Sequence, residues 1–415
     1  MTAERMNLSE RTNFLPWIIW GLGAMLFFVS YFPRVAPSVM QDDLMRAFNI
    51  NGFGFGTLTA FYLYAYVPMQ VPVGMLVDKF GARRLLYTMS LLAGAGCVLF
   101  ATSHLLFLAE IGRFMTGFGG AFGFVSAMKL AKDWFPSERL GVLAGLTQAL
   151  GMLGATLGEA PVSILVEHHG WRQALLMMAV LFLVLSVLIF FFVQDKARAV
   201  TSSTTTKNSF FDGLIVVLRN PQSWMNAAYL GCAYAPVMAF AEAWGVSFLQ
   251  QTYHISRDIA ATGVGLIFLG WAIGGPLMGM ISDHVGRKRP MIVSAVLSLV
   301  VILLVIFGHG YSQWTLFALL FLFGMFNTGV AVAYALSGEI NPDEVTGTSV
   351  AFANMASIII GMMFEPVIGW ILDFGAEHLP NGSYFYSTGD YRSAMLVLPV
   401  SITLAIVFGF LVKAK

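Results

Sequence analysis

Gly74-Met75-Leu76-Val77-Asp78-Lys79-Phe80-Gly81-Ala82-Arg83-Arg84 lies between two long apolar runs. It returns as Gly279-Met280-Ile281-Ser282-Asp283-His284-Val285-Gly286-Arg287-Lys288-Arg289. The two aspartates are 205 residues apart (283 − 78), about half of a 415-residue chain. A short basic loop that recurs at half-chain spacing between apolar helices indicates a duplicated membrane bundle.

Composition agrees with that reading. The chain is 58% hydrophobic and 11% charged, where soluble domains average roughly 25% charged. Mean hydropathy is +0.76. Many runs reach the roughly 18 apolar residues that mark a membrane span. A soluble chain of this length could not hide so much apolar surface. The net charge of +1 gives no reason to expect nucleic acid. Cys97 and Cys232 both sit inside apolar runs, so neither a disulfide framework nor a metal-ligand spacing is present. No metal and no cofactor is expected. The string Gly117-Phe118-Gly119-Gly120-Ala121-Phe122-Gly123 lacks the strand and βαβ unit that a phosphate-binding loop needs. These glycines are expected to let helices approach closely, as are Gly154 and Gly158, and Gly141 and Gly145.

The expected fold class is all-α, a polytopic membrane protein with twelve transmembrane helices in two six-helix bundles. The candidate spans are 16–38, 52–74, 85–103, 105–127, 140–163, 172–194, 224–248, 260–281, 289–308, 314–336, 347–371 and 391–413. The first is read as a retained span, because no small-residue cleavage site follows it. The expected domains are an N-terminal bundle over 1–194, a linker over 195–222 containing the Thr/Ser tract 201–206, and a C-terminal bundle over 223–415. With the N-terminus inside, seventeen Lys and Arg fall in cytoplasmic segments and four, Arg46, Arg172, Arg257 and Arg392, in outer loops. The positive-inside rule then places both termini in the cytoplasm.

The repeated loop, Gly-x-x-x-Asp-x-x-Gly-x-Arg-Arg, resembles the signature between helices 2 and 3 of the major facilitator superfamily of transporters, and the second copy resembles that between helices 8 and 9. The resemblance covers essentially the whole chain. It implies the superfamily's two-bundle plan with inverted three-helix repeats. It also implies that Gly74, Asp78, Arg83 and Arg84, with Gly279, Asp283 and Arg287, form gating loops that latch the bundles on the cytoplasmic side. The stretch from Arg34 through Arg84 is similar to the anion:cation symporter branch and to bacterial phagosomal nutrient transporters, in which an Arg of helix 1 binds the substrate's carboxylate. The chain departs from the symporter pattern where Pro33 and Gly120 stand in place of acids. Arg113-x-x-x-Gly117 resembles the superfamily's helix-4 motif, whose Arg faces the cavity and is tied to proton transfer.

Ionisable groups at membrane depth cost roughly 2.5–3.5 kcal/mol each on insertion scales, so each needs a cavity, a partner or a substrate. Arg34 lies between Pro33 and Pro37, which loosen the helix by removing backbone donors. Its planar fork can hold a carboxylate bidentately. The alternative is a side chain snorkelling to the outer interface. Glu110, three residues before Arg113, could pair with it on one helical face. Lys129 and Asp133 are expected to pair at the inner end of the same helix. Glu159 and Glu365 are 206 residues apart, as are Gln148 and Asn354, so the two halves place an acid and an amide at matching depths. A carboxyl group in such surroundings can carry a proton near neutral pH. Glu159, Glu242 and Glu365 are therefore the candidate proton-coupling groups. Arg34, Arg113, Gln148 and Asn354, with the aromatic residues Tyr62, Tyr66, Trp271 and Tyr334, are the candidate substrate-binding groups.

The expected function is secondary active transport by alternating access, not enzymatic catalysis. The expected substrate is a small carboxylate-bearing metabolite such as an amino acid, a short peptide or an organic acid, coupled to protons. A monomer in the inner, cytoplasmic membrane is expected. The first alternative is proton-antiport efflux of drugs or siderophores. Helix 5 carries Leu153-Gly154-Ala155-Thr156-Leu157-Gly158-Glu159, not the Gly-Pro-x-x-Gly-Gly of efflux members. The second alternative is a non-transporting membrane receptor or scaffold.

Overall fold

The computed structural model describes residues 3–70, 72–195, 210–379 and 384–413. The expected linker tract 201–206 lies outside them. Among the described residues ten helices are long and apolar enough to cross a membrane. Gly52–Met69 and Pro72–Phe80 make an eleventh when the bent pair is taken as one span. The remaining expected span, 105–127, is Leu106–Gly120 followed after Ala121 by Phe122–Trp134. Its glycines and its Glu110 and Arg113 dilute the apolar character that marks the others.

In chain order we call these spans 1 to 12. Span 1 is Phe14–Val39, span 2 the bent pair, span 3 Ala82–Thr102 and span 4 the interrupted helix. Span 5 is Leu140–His169, span 6 Trp171–Phe192, span 7 Pro221–Tyr253 and span 8 Arg257–Val285. Span 9 is Lys288–Phe307, span 10 Gln313–Glu339, span 11 Asp343–Asp373 and span 12 Thr388–Leu411. Several run past their expected ends, because polar residues continue a helix beyond its apolar window.

The repeat is visible in the backbone. Gly81 and Gly286, one in each signature loop, have φ of 85° and 82°. A side chain is strained there, so the loop keeps its glycine in both halves. Spans 1 and 7 also break at matching places. Span 1 tightens into a 3-10 turn over Ala36–Val39, while span 7 widens into a π turn over Phe240–Trp244. Proline causes the first break, and the carbonyl it leaves unbonded is satisfied from another span. Pro37 has no N–H to offer the carbonyl of Pro33, and the Arg113 guanidinium donates to it instead. Pro236 strands the carbonyl of Cys232 in the same way, and the Ser401 hydroxyl fills it at 2.8 Å.

Glycine packing separates the two ends of the molecule. At the end bearing residues 36–51, the backbones of Gly52 and Gly369 touch, and Gly56 lies against the carbonyl of Glu365. Asp373 accepts from the Gly52 and Phe53 amides at 2.9 Å each, so the end of span 11 caps the start of span 2. Tyr386 donates to Asp373 at 2.8 Å, and Arg257 pairs with Asp43 at 3.0 Å. This end is shut. At the opposite end Gly74, Gly141, Gly145, Gly279 and Gly347 have nothing within 4 Å of the place a Cβ would take. The packing expected at Gly117 and Gly154 is present, against Tyr62 and Phe28. That expected at Gly141 and Gly145 is not, because the surfaces they would meet stand apart at this end.

Candidate functional site

A cavity of about 620 Å³ lies between the halves, walled by spans 1, 2, 4 and 5 on one side and 7, 8, 10 and 11 on the other. Of the sequence-derived candidates, Arg34, Tyr66, Gln148, Trp271, Tyr334 and Asn354 line it. Among the described residues Arg34 is the one charged side chain on its walls. Tyr31, Tyr234 and Phe124 add aromatic surface. A second cavity, of about 630 Å³, lies at the shut end beneath residues 384–391.

Arg34 does not snorkel. It is 6% exposed, and its Nε and Nη2 each donate to one oxygen of Glu242 at 2.8 Å. The sequence offered a carboxylate clamp, and the carboxylate in the fork belongs to span 7 of the same chain. Tyr31 and Tyr66 flank the guanidinium, with ring centroids 5.1 and 5.6 Å away. Both spans that supply the pair break beside it, so each presents its charged group at a loosened turn.

Arg113 departs from expectation. Among the described residues it lines neither of the two cavities and makes no pair with Glu110. Its guanidinium donates to the carbonyls of Pro33 and, at 2.9 Å, Thr59. It thereby ties span 4 to spans 1 and 2, and it secures the turn that carries Arg34. The expected Lys129–Asp133 pair is present at 2.7 Å. Tyr62 also misses the cavity. It stacks behind Tyr66 at 6.1 Å and lies under Arg113 at 5.3 Å. A ladder of cation, two rings and cation thus runs from Arg113 to Arg34.

Glu159 and Glu365 are both buried and neither lines the cavity, so one cavity does not expose both. Glu159 takes the Ser38 hydroxyl, which stands 2.9 and 2.8 Å from its two oxygens. At the matching place, 121 residues apart in each half, the Trp244 indole donates to the backbone carbonyl of Glu365 at 3.0 Å. That leaves the Glu365 carboxyl with Oε2 buried and unpartnered among the described residues. Tyr334 donates to Asn354 at 2.8 Å, and Asn354 donates to Gln70 at 3.1 Å, so this chain crosses from one half to the other.

The two signature loops differ. Arg287 binds Asp283 at 2.5 Å and Glu339 at 2.8 Å, both within its own half. Arg83 donates to the carbonyl of Phe190 at 2.6 Å, and its amide to Asp195 at 3.1 Å. Asp78 and Arg84 are exposed. Asp78 has no hydrogen bond or ion pair among the described residues. The contact that the expected latch needs is absent at Asp78 among the described residues, at the end where the glycines are also unpacked.

A family model described as Major Facilitator Superfamily matches residues 23–256 and again 232–415. The chain belongs to the major facilitator superfamily. It is therefore a multi-pass membrane transporter and not an enzyme. It is 22% identical to the "Probable galactarate/D-glucarate transporter GudP" of Escherichia coli over 449 aligned positions, 98% of this chain and 95% of that one. It is 23% identical to the "Lysosomal dipeptide transporter MFSD1" of Mus musculus over 377, covering 86% and 80%. The "Probable sulfoacetate transporter SauU" of Cupriavidus necator matches at 27% over 161 residues, 39% of this chain and 37% of its own length. Among solved structures, a bacterial homolog to the human lysosomal transporter Spinster superposes with a TM-score of 0.81 at 14% identity, over 96% of this chain and 97% of that one. That likeness shows the superfamily fold.

Ser38 and Asp373 were missed from sequence, and Tyr31 and Tyr234, aromatic residues near Glu242, were passed over in favour of Tyr62, Tyr66, Trp271 and Tyr334. Ser38 carried a signal of its own, a hydroxyl directly after Pro37 in a broken helix.

Proposed function

We propose that the protein carries a small carboxylate-bearing metabolite across the membrane, coupled to protons, by rocking its two halves about the cavity. The observation that carries this reading is Arg34 at the cavity wall, held by the buried Glu242. A substrate carboxylate can replace Glu242 in the Arg34 fork, since the fork binds any planar carboxylate the same way. The freed Glu242 then holds a buried charge, which a proton removes. Substrate and proton so enter together. The named substrates of three relatives, sulfoacetate, galactarate or glucarate, and dipeptides, all bear carboxylates and support the class.

The charge asymmetry of the loops supports a chain with both termini in the cytoplasm, as expected for the inner membrane. The unpacked end is then cytoplasmic, and the conformer faces inward. Glu365 is the better candidate for the coupling proton beside Glu242, because one of its carboxyl oxygens has no partner among the described residues while both of Glu159's are on Ser38. The domain plan, 1–194 and 223–415 about a linker, gives the rocking halves.

The test is a binding titration of purified protein against small carboxylates. Arg34→Lys should weaken binding by about 1.5–3 kcal/mol, since an ammonium lacks the planar fork. Equal affinity in wild type, Arg34→Lys and Arg34→Ala would remove the carboxylate from Arg34 and sink this reading.

A further inference from the structure

The polar groups on the cavity wall differ in what they can still offer a ligand. Tyr334, Asn354 and Gln70 are bonded to one another. The Trp271 Nε1 is buried, beyond the reach of an occupant. The hydroxyls of Tyr31, Tyr66 and Tyr234 and the amide of Gln148 have no hydrogen bond among the described residues, and none of them is sealed off as the Trp271 nitrogen is. A ligand can pair such a group without breaking a bond inside the protein.

The hydroxyls gather about Arg34. Tyr31 and Tyr66 flank its guanidinium from the first half. Tyr234, half-buried, comes from the second half and lies close enough to Arg34 and Glu242 to feel both charges. It belongs to span 7, which also supplies Glu242, so a carboxylate that replaces Glu242 in the fork arrives beside it. The Trp271 ring braces it, 6.4 Å away between centroids.

We propose that the substrate is a hydroxy acid, and that Tyr234 determines this specificity by binding a hydroxyl one or two carbons from the carboxylate. This rests on the reading that Arg34 takes the carboxylate. A phenol both donates and accepts, so it can pair with an alcohol in either sense. An amine at the same carbon is disfavoured. Its ammonium would stand beside the Arg34 guanidinium, and among the described residues no carboxylate lines the cavity to balance it. Because Arg34 is on span 1 and Tyr234 on span 7, a hydroxy acid joins the two halves. An unsubstituted acid holds only one.

The experiment compares hexanoate with 2- and 3-hydroxyhexanoate and with 2-aminohexanoate, which share its chain length. Affinities are measured by calorimetry on the full chain in nanodiscs. Wild type should bind the better hydroxy acid roughly tenfold tighter than hexanoate, the worth of one neutral hydrogen bond, and tighter than the amino acid. Tyr234→Phe, which keeps the ring and loses only the hydroxyl, should bring the ratio of hydroxy acid to hexanoate close to one. Arg34→Ala should lose every ligand. A wild type that binds hexanoate through Arg34 but prefers neither hydroxy acid, or prefers the amino acid, overturns the inference and leaves the carboxylate reading standing. A preference that survives in Tyr234→Phe also overturns it, whether or not Gln148→Leu abolishes that preference. If wild type binds none of the acids, the carboxylate reading falls first and this inference with it.

Discussion

Glu159 and Glu365 occupy matching places in the two halves, and Glu159 has both carboxyl oxygens on Ser38 while the Glu365 carboxyl has a single side-chain contact, with Thr59. Glu365 keeps Oε2 buried and unpartnered, because the corresponding contact, from Trp244, reaches its main chain. A duplicated acid thus has both oxygens held in one half and one oxygen unpartnered among the described residues in the other.

From this, Glu365→Gln should mimic a permanently protonated group. Uptake driven by a pH gradient should vanish in proteoliposomes while substrate exchange, which releases no net proton, persists. Glu159→Gln should act mainly on stability, by about 1–2 kcal/mol for a disturbed buried hydrogen bond. Gradient-driven uptake that survives Glu365→Gln would pass the proton role to Glu242.

Asp78 offers a different kind of test. It is exposed and unpartnered here, so Asp78→Asn should leave the stability of this conformer within about 0.5 kcal/mol. Its effect belongs to the conformer in which the loop latches. Transport should fall strongly, with substrate affinity within about tenfold of wild type. Full transport rates in Asp78→Asn vesicles would refute the latch.

Arg113 replaces a hydrogen bond that Pro37 removed, and the two positions should therefore be energetically coupled. Arg113→Met alone strands the Pro33 carbonyl and loosens the turn under Arg34. Adding Pro37→Ala returns an N–H to that carbonyl. A double-mutant cycle on stability should give a coupling of about 0.5–3 kcal/mol, with the double variant more stable than additivity predicts. Strict additivity would mean that Arg113 and Pro37 act independently.

Glycine substitutions should push the conformational equilibrium in opposite directions. Gly56 abuts the backbone of Glu365, so Gly56→Leu should open the shut end. Gly141 faces open space, so Gly141→Leu should hinder closure of the unpacked end. Single reporter cysteines at each end, read by thiol labelling, would show it. Cys97 and Cys232 are buried and give little background. Identical labelling patterns in the two variants would contradict the assignment of ends.

The repeated loop, the spans and the buried Arg34 were readable because each is local or periodic. Hydropathy marks a span, and an arginine inside one must be accounted for. The partners were not readable. Arg34 could equally have met solvent, a ligand or an acid, and its choice of Glu242 depends on two helices breaking at the same height. Tyr62 and Tyr66 lie four residues apart on one face and look alike in sequence. Which of them reaches the cavity depends on the depth of stacking behind it. Asp373 is an ordinary helix-end acid until span 2 arrives to be capped.

The Arg34–Glu242 pair also has a consequence for how the protein is made. The two residues are 208 positions apart, and span 7 is synthesised after the whole first bundle has entered the membrane. Until then the newborn half holds Arg34 with no counter-charge, at a cost of order 2.5–3.5 kcal/mol for a lone charge at such depth. Residues 1–194 expressed alone should be cleared rapidly by cellular proteolysis, and co-expression of 223–415 should prolong their lifetime. Equal lifetimes with and without the second fragment would show that the first bundle matures unaided. On this account, completion of span 7 is the point in biogenesis at which the first half becomes safe from quality control.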